Sequence, residues 1–381
     1  SPLHNTSGDV VLWQKAANAA KAVIDLGIYT LPASYNSNFN MLVATPTSEL
    51  IMERRVAASN DFEKRNFPIG YEGGNTGTCP TQNLVDCYEM AANGRAITDP
   101  TSRYNPLVPY NGRDARLDQT VIRNSSSWKG STIEPYINGK NGFPLPNATK
   151  TGYYLKKYVI QDINLDTKLG SVTTREHNWI LFRYAEVLLN FAEAKAELGT
   201  LTNQEWALTI GALRARAGIT GGLTIKPAVA DPYLVKNYFP NISDPSILEI
   251  RRERGIELSL EGFRFSDILR WKRGELMERP WNGFHVAALN VPMDLNEDGI
   301  LDVAFYQGTR PTPAVSGVTY VDVSARIGTA VNSQLLKNGT SGELNWMNEI
   351  PRKWNDRNYL YPIPLNDLQR NPKLKQNPGW N

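Results

Sequence analysis

The chain has 381 residues, 41% hydrophobic and 21% charged, the composition of a folded protein with room for a large core. Its 41 basic and 38 acidic residues nearly cancel, and no Lys/Arg block exceeds two residues, which argues against a nucleic-acid surface. No apolar run approaches the roughly 18 residues that would cross a bilayer as a helix. The aromatic content is more telling: nine Trp and 17 Tyr, many of them in Gly-, Asn- and Pro-rich stretches. Such rings offer a large apolar face with a polar rim, suited to stacking on sugars or peptides.

In chain order, Asp9–Leu26 is the first predicted helix. Val11, Ala16, Ala20, Val23 and Ile24 fall near a 3.6-residue period, and Gly27 supplies a stop. Residues 36–50 read as a short connection with strand-like character at Met41–Ala44, and Arg54–Cys79 as a Gly/Asn-rich loop. Thr81 is placed to cap a helix that runs to about Ala92, ended by Asn93-Gly94. Cys87 would lie in this helix and Cys79 ahead of it. Eight helical positions span ~12 Å by rise, beyond disulfide reach, so two free thiols are expected. From Arg95 to Thr174 the chain is loop-rich, and a loop that long is usually functional. Within it Arg113, Asp114 and Arg116 sit beside Tyr110, where Arg–carboxylate pairing can lock a turn.

Trp179–Leu198 carries two apolar stripes, Leu181, Ala185, Leu188, Ala192 and Tyr184, Val187, Phe191, Ala194, Leu198, which predicts a largely buried helix. Gly199 ends it, and Asn203 is placed to cap a partner helix through Ala217. Helix, short turn and helix with small Ala at close positions suggest a tetratricopeptide-type hairpin. Asp244 and Pro245 then supply a cap and a first-turn proline for another pair, Ser246–Glu275. Here Arg251, Arg254 and Arg264 fall among the apolar Ile247, Ile250 and Leu258, and opposite charges recur three apart, on one helix face. Such a face is either solvated or an internal ion network, with Arg251, Arg254, Glu257, Arg264 and Asp267 as its expected members. Gly274–Trp354 is again irregular.

Asp294-Leu295-Asn296-Glu297-Asp298-Gly299-Ile300-Leu301-Asp302 has oxygen donors at positions 1, 3, 5 and 9 and Gly at 6. With the Ile300 carbonyl this is the front of a calcium loop, so Asp294, Asn296, Asp298, Ile300 and Asp302 are candidate ligands for a structural calcium. Phe305 stands where an EF-hand has its bidentate acid, which excludes that class, and the plain alternative is a solvated Asp/Asn turn. The three histidines, His4, His177 and His285, match no zinc spacing, and no HExxH, GxSxG or P-loop motif is present. No catalytic residue is assigned and no other cofactor is expected. Of the loop aromatics Tyr71, Trp128, Trp281, Phe284, Trp346 and Trp354, the expected ligand contacts are Tyr71, Trp128, Trp281 and Trp346.

Four ordered stretches resemble the SusD/RagB family, outer-membrane nutrient-binding lipoproteins of Bacteroidetes. They are Pro80-Thr81-Gln82-Asn83-Leu84-Val85-Asp86, Gly112-Arg113-Asp114-Ala115-Arg116-Leu117, the run Arg251–Trp271, and Tyr359–Pro364 with Asn377-Pro378-Gly379-Trp380. Ala115 departs from the family's proline. The resemblance implies a mostly α SusD-like fold. In it, tetratricopeptide-like hairpins near 9–26, 81–92, 179–217 and 246–273 carry loop-rich insertions at 95–174 and 274–354 with small β elements, all in one interwoven domain over 1–381. It also implies that this is the carboxyl-terminal portion of a longer cell-surface lipoprotein, membrane-bound only through a lipid anchor carried elsewhere. By the same resemblance, the protein is a non-catalytic binder of glycan or oligosaccharide that passes ligand to a SusC-like TonB-dependent outer-membrane transporter. A peptide binder of the same build and a structural lid for the transporter are the alternatives.

Overall fold

The structure is a computed structural model that describes residues 10–39, 46–327, 330–331, 334–336, 339–345 and 350–380. Helix α1 (Val10–Asp25) opens it, followed by strand β1 (Leu50–Ser59), the short helices α2 (Gln82–Val85) and α3 (Arg116–Thr120), and strand β2 (Arg175–Arg183). Helix α4 (Tyr184–Glu197) continues from β2 without a break. A helical stretch follows, Asn203–Trp206, a π turn at Ala207–Gly211, and Ala212–Arg216. Then come α5 (Pro232–Asn237), α6 (Pro245–Glu257) and α7 (Phe263–Arg270). Short strands follow, β3 (His285–Val286), β4 (Val303–Tyr306), β5 (Thr319–Asp322), β6 (Leu335–Leu336) and β7 (Gly342–Asn345), and after them the helix Leu365–Arg370.

The two largest apolar clusters among the described residues are one between helices and one built mainly from loops and sheets. In the helical core, Ala185, Leu188, Leu189 and Ala192 of α4 meet Trp206, Ile210 and Leu213 on one side and Ile247 and Ile250 of α6 on the other. Small alanines let the helices approach closely, and α1 packs Ala17 and Ala20 on Val187, Phe191 and Ala194. In the second core, loop and sheet residues from Val85 to Leu344 gather around Tyr88, Tyr153, Phe284 and Phe305. β4 and β5 pair in parallel, while β6, β7 and β3 form an antiparallel sheet.

Several sequence expectations need correction. On α1, Val11 and Ala16 face solvent, and the buried face is Ala17 and Ala20 with Trp13, Val23 and Ile24 packed beside them. Residues 179–183 are strand, not helix: β2 pairs antiparallel with β1 from Leu50↔Arg183 to Ser59↔Arg175. That long ribbon occupies part of what reads as loop from Arg54 onward. The cap of the 203 helix is Thr202, whose hydroxyl accepts from Glu205 N while Glu205 accepts from Thr202 N, a reciprocal capping box. The helix from Thr81 stops at Val85 rather than Ala92, because Arg113 takes the carbonyls of Val85 (2.7 Å) and Tyr88 (2.8 Å) that a further turn would use. Met41–Ala44 lies outside the described residues.

The charged helix pair is internal. Asp244 Oδ1 accepts from Ser246 N (2.7 Å) and Ile247 N, and α6 then buries ten of its 13 residues, among them Glu249, Glu253 and Glu257. Four-residue spacing puts these three carboxylates on one stripe. Arginines from three other segments meet it: Arg116 of α3, Arg183 at the end of β2, and Arg214 with Arg216 from the 212–216 helix. Glu257 accepts from Arg116 Nη1 at 2.8 Å, Arg183 Nη1 at 2.6 Å and Arg216. Arg254 binds Asp267 of α7 through two 2.8–2.9 Å bonds, and Arg270 binds Glu193 of α4 through two at 2.6 Å. Arg251 reaches Glu197 at 3.2 Å. Arg264 is exposed and forms no ion pair among the described residues; its guanidinium rests against Gly255 and near the Trp271 ring.

Burial alone would raise the Glu257 pKa, but Arg216, Arg183 and Arg116 overturn this and hold it well below the usual range. A depressed carboxylate contributes stability above its unfolded pKa, and that contribution disappears as pH falls through the folded value. Glu257→Gln leaves three buried guanidinia short of charge and is expected to cost about 3–5 kcal/mol at neutral pH. In urea unfolding the gap between wild type and variant should be widest above about pH 5 and shrink below about pH 4. A gap that does not change with pH would mean that Glu257 is not ionised in the folded protein.

Candidate binding site

A cleft of about 330 Å³ lies between α2, α5, α6, α7 and the segment 276–281. This is the low end of the about 300–1,000 Å³ usual for small-ligand sites. Its floor is built from the Pro80–Asp86 stretch. Gln82, 4% exposed, joins three elements: its amide oxygen accepts from Tyr153 Oη (2.5 Å) and His285 N (3.1 Å), and its amide nitrogen donates to Asp86 (2.7 Å). Asn282 is clipped to the same turn, donating N–H to Asn83 Oδ1 at 2.9 Å and accepting from Gln82 N at 2.9 Å. Trp281 is thereby held at the rim, 36% exposed, with the Arg352 guanidinium 4.2 Å from its ring centroid.

The opposite wall is aromatic. Asp231 caps α5 and uses its second oxygen to pair with Arg252 at 2.7 Å. This fixes Tyr233, Tyr238 and Phe239, all of which face the cleft. Arg279 lies 4.3 Å from the Tyr238 ring centroid and donates to the Asn237 carbonyl at 3.1 Å. The corner between α6 and α7 turns through two left-handed residues, Leu260 (φ 62) and Gly262 (φ 87). It brings Arg264 across Gly255, where an added Cβ would sit 3.3 Å from Arg264 Nη1. Asp86 is the sole carboxyl lining the cleft among the described residues, and burial raises its pKa. The Cys87 thiol, also raised by burial, donates to the Asn83 carbonyl, and both cysteines are free.

Of the four aromatics expected to meet ligand, only Trp281 lines this cleft. Trp128 is 1% exposed and packs edge-on against Phe67, so stacking on a ligand is closed to it. Tyr71 is half-buried in the same cluster and donates its hydroxyl to the Trp128 carbonyl at 2.8 Å. Trp346 lies outside the described residues. Phe284 is core, and Trp354 packs on Gly274, where a Cβ would come within 2.0 Å of the indole, and beside Tyr359. Tyr233, Tyr238, Phe239 and Arg279 were not singled out by sequence reasoning. The signal available was the aromatic run around Pro232–Pro240, off any helical period.

The acidic loop holds itself. Asp294 accepts from Glu297 N (2.7 Å) and Gly299 N (3.0 Å), Asp302 from Leu295 N (2.7 Å) and Asn296 N, and Asp298 from Ile300 N (2.8 Å). The carboxylates expected as calcium ligands thus point at the loop's own amides, and among the described residues no three acidic, His or Cys side chains are gathered for a metal.

The SusD family model matches residues 48–380, so the chain belongs to the SusD family. Its fold is mostly helical with small sheets, as in solved SusD-like structures. A SusD-like carbohydrate binding protein from Bacteroides fragilis NCTC 9343 superposes with a TM-score of 0.65 at 21% identity, covering 95% of this chain and 61% of its own. A second SusD-like protein from the same organism gives 0.64 at 23% identity, covering 97% and 62%. The chain therefore spans about three fifths of the length of these relatives. No curated protein matches it.

If Asp294, Asn296, Asp298, the Ile300 carbonyl and Asp302 hold a structural calcium, the ion should raise the melting temperature above that in chelator, since a ligand bound only by the folded state stabilises by mass action. Equal melting temperatures would leave the loop a plain Asp/Asn turn.

Proposed function

We propose that this chain is the glycan-binding part of a non-catalytic cell-surface lipoprotein that passes its ligand to a SusC-like TonB-dependent outer-membrane transporter. Membership of the SusD family supports this, as does the shared fold with a SusD-like carbohydrate binding protein. The observation that carries it is the cleft itself, in which the Trp281, Tyr233, Tyr238 and Phe239 rings face one space along with the donors of Asn83, Arg264 and Arg279. Flat apolar faces beside fixed polar groups suit a sugar ring, whose two sides differ in the same way. Hydrolysis would need two carboxyl groups across the bond, and among the described residues the cleft offers Asp86 alone. On this reading the helices act as tetratricopeptide-type hairpins within one interwoven domain. They hold the binding loops rigid while the ligand waits for transport.

Calorimetry with a glycan panel and a peptide pool tests the reading. Saturable binding of a glycan is expected, weakened about tenfold by Trp281→Ala and accompanied by no turnover. Binding of peptides alone would favour a peptide-nutrient role, binding of neither class would leave a structural part of the transporter complex, and turnover would make the protein an enzyme.

A further inference from the structure

Four arginines line the cleft, Arg251, Arg252, Arg264 and Arg279. Two are already matched. Arg251 pairs with Glu197 at 3.2 Å, and Arg252 pairs with Asp231 at 2.7 Å, Glu89 at 3.0 Å and Glu249. Arg264 and Arg279 have no carboxylate partner among the described residues. Arg279 gives one donor to the Asn237 carbonyl, bonds the Tyr233 hydroxyl and lies over Tyr238, while Arg264 lies on the bare backbone of Gly255 and near Trp271. A guanidinium carries five N–H donors, so both keep unused ones. The only lining carboxyl among the described residues, Asp86, already accepts from Gln82, and its burial raises its pKa, which weakens any claim it has on either arginine.

The cleft therefore has two uncompensated positive charges beside aromatic walls that lower the local dielectric and sharpen the field. A neutral sugar would leave both charges unmet and give up water from around them. A carboxylate suits the planar guanidinium fork, which binds it through two parallel bonds. We infer that the cleft selects a carboxylate-bearing sugar, a uronic acid residue, held by Arg264 and Arg279 with its ring against Trp281 and Tyr233. This rests on the glycan reading above and names the class of glycan.

The test is calorimetry of the protein with oligosaccharides of galacturonic, glucuronic and mannuronic acid, each beside its carboxyl-reduced counterpart. At least one uronide is expected to bind, its reduced form about tenfold or more weaker, with affinity falling as salt rises. Arg264→Gln and Arg279→Gln should each weaken the uronide by about tenfold and the reduced form by clearly less, so that the gap between the two forms narrows. The wild-type comparison of uronide and reduced sugar needs no variant, so a misfolded substitution does not blunt the result. Equal binding of the two forms, or a glycan bound only when neutral, overturns the inference and leaves the glycan reading standing. Binding of no carbohydrate of either kind overturns that reading as well.

Discussion

Everything in this structure depends on a row of buried carboxylates. Glu249, Glu253 and Glu257 lie along one face of α6, and the arginines that neutralise them arrive from α3, β2 and the 212–216 helix. Burying ions is costly, and one partner removed leaves the others exposed to that cost. Each of these segments is therefore held in place by all the others. The hydrophobic cores on either side meet along this row: Ile247 and Ile250 face the helical core, whereas Ile256 belongs to the loop-and-sheet core. A helix whose apolar residues alone had to join two cores would slide more readily than one keyed by directional ion pairs.

The same keying shapes the cleft. Arg252 is fixed by Glu89, Glu249 and Asp231, and Asp231 is in turn the cap of α5, so the aromatic wall is set by the ion network behind it. On the other side Gln82 and Asn83 hold the 281–285 segment, and through it Trp281. At the carboxyl end Trp354 seats on Gly274, and Trp380 donates to the carbonyls of Arg357 (2.9 Å) and Leu360 (2.8 Å), folding the last residues back on the exit from α7. The family's four sequence signatures are thus mainly positioning devices, and the cleft is what they position.

What could be read from sequence was what local chemistry decides. Asp244 and Pro245 announce the start of α6 because a cap involves only its neighbours. The alanine-rich stripes of α4 follow from a helical period, although its first turn begins at Tyr184 because the preceding residues pair with a distant strand. That ribbon was hidden, since its two strands lie far apart in the chain and carry mixed burial instead of clean alternation. Helix α2 ends early through Arg113, again a distant residue. Trp128 read as a loop aromatic and proves to be core, because nothing local records that Phe67 packs against it. The cleft draws on five separate segments, so no period in any one of them marks it.

Native-state hydrogen exchange at the amides of residues 248–258 measures the central claim most directly. If the carboxylate row locks the two cores together, these amides exchange only through global unfolding, with a free energy equal to that from denaturant unfolding. Exchange of α6 through a local opening of distinctly lower free energy, while α4 stays protected, would contradict the account.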